Sequence, residues 1–222
     1  KKIDNLEPNA WSDPAVKRAT EDLYQLWDKG YIMAGTAGLT HTESQTEWLK
    51  GKAIFIPCGN WLENEMKDIT PADFNMTVAN IPGYADGKGD QKAVNANGGE
   101  TYIVPAKGKN TAGGMEYLRA LLSKESAKYF AENVRAIMPV TGGTEGAKLS
   151  EGMKAGVALA DASKGVTINF NVTNWYSAIS KEIEQRTGEL MTGVIKPDEF
   201  IANMQKKADE VAKDPDVKKF TR

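Results

Sequence analysis

Three short apolar runs, set among many stretches of helical periodicity, constrain this 222-residue chain most. Ala53-Ile54-Phe55-Ile56, bounded by Gly51-Lys52 and Pro57, reads as a buried strand. Asn75-Met76-Thr77-Val78-Ala79 reads as a second strand, and Thr101-Tyr102-Ile103-Val104-Pro105 as a third. Helices dominate the rest. Asp13-Pro14 supplies a cap and a first-turn proline, and Val16, Ala19, Leu23, Leu26 and Trp27 repeat at helical spacing until Gly30. Thr42-Glu43-Ser44-Gln45 has the capping-box form and opens a short helix through Trp48 and Leu49 to Gly51. Further helices are expected at Asn60–Lys67, around Ala112–Leu122, around Ala127–Val134 and around Met153–Ala160. Asn174 should open one carrying Trp175, Ile179 and Ile183 and ending at Gly188. Pro197 should open the last, with Phe200, Ile201, Met204, Ala208 and Val211 as its stripe. Three strands among roughly eight helices make a poor sheet, and no internal repeat is visible. The fold expected is therefore α/β with strands missing, a part of a larger architecture.

Composition narrows the function. Lys+Arg 28 against Asp+Glu 30 leaves a net charge of −2, and no basic cluster is interleaved with aromatics, which removes the electrostatic basis for nucleic-acid binding. No run approaches the ~20 apolar residues of a membrane span. The chain starts at Lys1 without a methionine, as a processed or truncated product would. Cys58 is the single cysteine, so no internal disulfide forms. His41 is the single histidine, which rules out a multi-histidine metal site and reads as a polar loop residue. Gly83–Gly89 lacks the strand–GxGxxG–helix setting, and Gly142-Gly143 precedes no Lys-Ser/Thr pair, so nucleotide binding is not expected. Neither a cofactor nor a metal is called for.

The candidates for function are aromatic and amide residues. Trp61 follows Ile56-Pro57-Cys58-Gly59-Asn60, and Trp175 follows Asn171-Val172-Thr173-Asn174, each where a helix begins after a loop. Two indoles so placed form either a platform for a sugar face or two half-buried packing residues. Trp11, Trp27 and Trp48 read as packing. Glu63 and Glu65 suggest a glycosidase pair, but residues two apart on a helix point to different sides, and Glu63 with Lys67 reads as an i,i+4 surface pair. Asn97-Gly98-Gly99-Glu100 reads either as a plain turn or as a close-approach loop whose carboxylate accepts sugar hydroxyls.

The segment Gln45-x-x-Trp48-Leu49-x-Gly51-Lys52-Ala53-Ile54-Phe55-Ile56-x-x-Gly59-Asn60-Trp61 resembles the extracellular solute-binding proteins of sugar ABC importers, the maltose-binding-protein-like family. The similarity continues in order through Thr101–Pro105 with Lys109-Asn110, Met138-Pro139-Val140, Asn174-Trp175-Tyr176, Leu190-Met191-Thr192-Gly193 and Lys196-Pro197-Asp198-Glu199-Phe200. No single motif is specific; their order over nearly the whole chain is. Thr36–Thr42 and Pro57–Met66 look most like the binders of N-acetylglucosamine and diacetylchitobiose.

The resemblance implies a periplasmic-binding-protein-like two-lobe fold of which this chain is the helix-rich C-terminal half. Residues 1–82 would belong to the second lobe, 83–97 to a hinge crossing, 98–165 to the first lobe, and 166–222 to a return to the second. It implies a monomeric, extracytoplasmic protein, periplasmic or lipid-anchored, that hands a mono- or oligosaccharide to a membrane permease. Trp61 and Trp175 fall on the family's ligand-stacking tryptophans. Asn60 stands where the family has proline, and Asn60, Asn97, Glu100 and Asn174 would supply the polar contacts. The rival expectation is a carbohydrate hydrolase using Glu100 as one carboxylate. Severed sheet edges further imply a chain that is aggregation-prone or dependent on its missing half.

Overall fold

A computed structural model describes residues 1–95 and 102–222. The chain divides into two compact units, one formed by Lys1–Thr40 with Phe170–Arg222, the other by His41–Asn169.

The first unit is helical. α1 (Pro14–Asp28) starts where the sequence places it: Asp13 Oδ1 accepts from the Ala15 N–H at 3.1 Å, and Pro14 needs no hydrogen-bond partner at the first position. Its inner face departs from the expected stripe at two positions. Val16 and Leu23 pack on the core and Thr20 is buried, whereas Ala19 and Leu26 face solvent. The Thr20 hydroxyl donates to the Val16 carbonyl at 2.8 Å, which allows a polar group at that buried place.

α9 (Pro197–Lys213) buries all five residues of its predicted stripe, Phe200, Ile201, Met204, Ala208 and Val211. They join Leu6, Trp11, Val172, Tyr176, Ile179, Leu190 and Ile195 in one core. Each fully buried large apolar side chain there, Met204, Ile179 and Leu190 among them, contributes roughly 1.5–3 kcal/mol. Trp11 meets Phe170 and Phe200 edge-on at 6.4 and 6.5 Å, as the packing reading requires.

The expected helix from Asn174 to Gly188 is corrected at both ends. Two helices stand there, α7 (Val172–Trp175) and α8 (Ser177–Met191), separated by Tyr176 in an extended conformation. Gly188 is interior to α8, where Arg186 bridges Glu182 and Glu189 at 2.7 Å each. The true terminator is Gly193, at φ +72°, a left-handed conformation that suits glycine. The Val194 N–H closes that end on the Glu189 carbonyl at 2.9 Å.

The second unit holds α2 (His41–Leu49), α3 (Leu62–Met66), α4 (Thr111–Leu121), α5 (Lys124–Tyr129) continued by a π-turn over Phe130–Val134, and α6 (Glu151–Ser163). α2 begins one residue before Thr42, so His41 is a helical residue and not a loop residue. Asn110, Ser123 and Ser150 cap α4, α5 and α6 by accepting the N–H groups of Gly113, Ser126 and Met153. A small core gathers Trp48, Leu49, Leu62 and Met66 with Phe74 and Met76 around them. Trp48 lies edge-on to Phe74 at 4.7 Å and donates to the Ile54 carbonyl at 3.2 Å, as a packing residue.

None of the three predicted strands enters a ladder among the described residues. The 53–56 segment is irregular, with a bend at Ile54, and Ile54 and Phe55 are 86% and 82% exposed; Ile103 is 81% exposed. An apolar run records a demand for burial, but a strand needs a pairing partner, and no described strand pairs with these three. The ladder that does form is parallel and short: β1 (Val94–Asn95) pairs with β2 (Thr167–Ile168), Val94 opposite Thr167 and Asn95 opposite Ile168. β1 lies in the 83–97 stretch expected as a hinge crossing, and β2 lies at the start of the 166–222 stretch expected to return to the second lobe.

Candidate functional site

Trp61 occupies the N-cap position of α3, with Asn60 exposed beside it. Its indole lies directly on Gly59: a Cβ built there would come within 1.9 Å of the ring. Any side chain at residue 59 would therefore evict the indole. Trp61 remains 48% exposed, well above the three packing tryptophans Trp11 and Trp48, which are buried, and Trp27, which is half-buried against Tyr24.

A polar hub that the sequence alone did not reveal links α2 to α3. Gln45, fully buried, sends its Nε2 to Glu65 Oε2 at 2.7 Å and to His41 Nε2 at 2.9 Å, with Cys58 Sγ at 3.7 Å. The i,i+4 spacing of His41 and Gln45 on α2 was the available signal. The hub pins α2 to α3 and so fixes the turn that bears Trp61. Among the described residues, no three of the histidine, cysteine and acidic side chains are placed to hold a metal ion.

The two glutamates of α3 part company. Glu65 faces the hub. Glu63, expected to pair with Lys67, instead accepts from the Ser150 hydroxyl at 2.6 Å and lies 3.8 Å from the Arg135 guanidinium. Ser150 thus caps α6 with its oxygen and donates its proton to α3. Sequence spacing showed the local partner; the partner that won is 87 residues away.

Trp175 ends α7 and is half-buried. One indole face is stacked on Phe220, centroids 5.3 Å apart and planes at 25°, and Tyr176 meets the ring edge-on at 6.5 Å. Asn174 is exposed but does not cap a helix; it lies inside α7, which begins after Asn171. Asn97 and Glu100 lie outside the described residues. Of the six expected site residues, Asn60 and Trp61 are thus adjacent in one unit and Asn174 and Trp175 in the other.

Two surface grooves stand elsewhere. One of about 510 Å³ runs along α9 past Ser12, Gln205 and Asp209. The other, of about 350 Å³, lies between Tyr102 and Tyr117 at the start of α4. Neither includes an expected site residue. No described helix is long and apolar enough to cross a membrane.

Comparison with known proteins adds two findings. The bacterial extracellular solute-binding protein family matches residues 2–161. The diacetylchitobiose-binding protein NgcE of Streptomyces coelicolor is 37% identical over 142 residues, covering 63% of this chain and 30% of that protein. The chain therefore aligns with less than a third of that relative's length.

Proposed function

The chain belongs to the bacterial extracellular solute-binding proteins, and from that premise we propose that it is part of the substrate-binding component of a carbohydrate ABC importer. The ligand proposed is N-acetylglucosamine or its disaccharide, diacetylchitobiose, the sugar named for the similar Streptomyces protein. The observation that carries the proposal is Trp61, an exposed indole seated on a glycine at the start of α3, the helix that the Gln45 hub ties to α2.

A pyranose presents C–H bonds on one face and hydroxyls around its rim. The indoles of Trp61 and Trp175 take the face, and the exposed amides of Asn60 and Asn174 take rim hydroxyls. Asn97 and Glu100 belong to the same proposal. Micromolar affinity amounts to about −8 kcal/mol, within reach of two stacked rings and several hydrogen bonds. In the longer protein, segments 1–82 and 166–222 would form one lobe with 98–165 in the other. The parallel pairing of β1 with β2 supports the reading of the stretch around β1 as a hinge crossing and of β2 as the start of the return. Closure of the lobes would enclose the sugar and present it to a permease outside the cytoplasm, with the full-length protein acting as a monomer. No bond in the sugar is made or broken.

The test is a tryptophan-fluorescence titration of the full-length protein with diacetylchitobiose, N-acetylglucosamine and maltose, in wild type, Trp61→Ala and Trp175→Ala. Loss of one stacked indole, worth about 1.5–3 kcal/mol, should weaken binding roughly 10- to 150-fold. A flat response to all three sugars would sink the carbohydrate reading. Release of monosaccharide from diacetylchitobiose, abolished by Glu100→Gln, would replace it with a hydrolase.

A further inference from the structure

The segment after α9, residues 214–222, returns to the start of the chain and is fastened at several points. The Phe220 N–H donates to the buried Tyr176 hydroxyl at 2.9 Å, and the Arg222 N–H donates to Asn5 Oδ1 at 2.8 Å. The Arg222 guanidinium donates to Asp4 Oδ2 at 3.0 Å. Asp4 is itself buried, and its other oxygen accepts the Val172 N–H at 2.9 Å, at the first residue of the helix that carries Trp175. Val217 and Phe220 pack on the core of the first unit. The result is a strap that stacks the Phe220 ring on the Trp175 indole at a 25° tilt, while Tyr176 closes on both rings edge-on. Lys218 Nζ sits 5.2 Å from the Phe220 ring centre.

We infer that this strap is a positioning device for sugar binding, with Phe220 as the residue that sets the Trp175 indole in place. The inference rests on the proposed role of Trp175. An indole has two faces, and Phe220 holds one of them, which leaves the other to a pyranose. A ring clamped in this way loses little rotamer freedom when the ligand arrives, so its stacking energy goes into affinity rather than into ordering. Phe220 acts through Trp175 and not by touching the sugar. Asp4 links the two halves of the arrangement, because one carboxylate fixes both the strap and the first turn of α7.

The experiment measures diacetylchitobiose affinity and melting temperature of the full-length protein in wild type, Trp175→Ala, Phe220→Leu, Phe220→Tyr and the Trp175→Ala/Phe220→Leu double variant. Leucine keeps apolar volume under the indole but removes the flat ring, so the fold should survive the change. The expected result is an affinity loss of about tenfold for Phe220→Leu, restoration by Phe220→Tyr, and a double variant no weaker than Trp175→Ala alone. Three results would overturn the inference. If Phe220→Leu stays within twofold of wild type while Trp175→Ala weakens binding, the strap is packing only and the functional reading stands. If Phe220→Leu tightens binding, Phe220 blocks the indole instead of presenting it. If Trp175→Ala leaves affinity unchanged, the role of Trp175 and that of the strap fall together.

Discussion

Replacing Asp4 with alanine should destabilise the unit formed by 1–40 and 170–222 by about 1.5–4 kcal/mol, and the size of the loss can be built from its parts. The Asp4 side chain is 2% exposed and accepts two hydrogen bonds, from the Val172 N–H and the Arg222 guanidinium. Val172 is fully buried, so removing its acceptor strands an N–H at a cost of about 1–3 kcal/mol. Arg222 is 43% exposed and rehydrates easily, so its lost bond adds only about 0.5–1 kcal/mol. Asp4→Asn keeps an oxygen for Val172 and should cost about 1 kcal/mol. Arg222→Ala leaves the Val172 bond intact and should fall near the asparagine variant, well short of alanine. Urea unfolding followed by tryptophan emission gives the three values. In a melt, the alanine variant should drop by roughly 5–15 °C. If all three variants lie within about 0.5 kcal/mol of one another, water has replaced the carboxylate and the reasoning is wrong.

Other consequences are sharper in sign than in size. Hydrogen bonds from Lys50 and Lys52 hold the Glu47 carboxyl down to about 2, against an ordinary value of 4.5. Its contribution is fully present above pH 4.5 and lost as pH falls toward 2, so the melting-temperature gap between wild type and Glu47→Gln should close across that window. Gly193→Ala forces a side chain onto φ +72° and within 2.1 Å of the Trp27 ring; it should destabilise by about 1–3 kcal/mol, and unchanged urea unfolding would show that Trp27 moves aside freely. Gly59→Ala should unseat Trp61 and weaken sugar binding by about the same factor as Trp61→Ala, with little change in melting temperature. Wild-type affinity in that variant would mean that the indole is not held by its seat on Gly59.

Much of the architecture could be read along the chain because helices are local. The Asp13 cap, the proline starts at residues 14 and 197 and the five-residue stripe of α9 all involve neighbours within a few positions, and all are present. The packing role expected of Trp11 and Trp48 is met by their burial, whereas the sequence left Trp61 and Trp175 open between platform and packing, and the structure parts them, Trp61 exposed and Trp175 half-buried. Strands were misjudged at 53–56, 75–79 and 102–105 because an apolar run states what a segment would bury and not what will lie beside it. Three further outcomes belonged to the tertiary structure alone. Glu63 left its neighbour Lys67 for Ser150, Tyr176 broke one expected helix into two, and Phe220 came to rest on Trp175 from 45 residues further along the chain. Each was decided by contact between residues far apart in the chain, where packing and hydrogen-bond satisfaction outweigh the few tenths of a kcal/mol that local spacing offers.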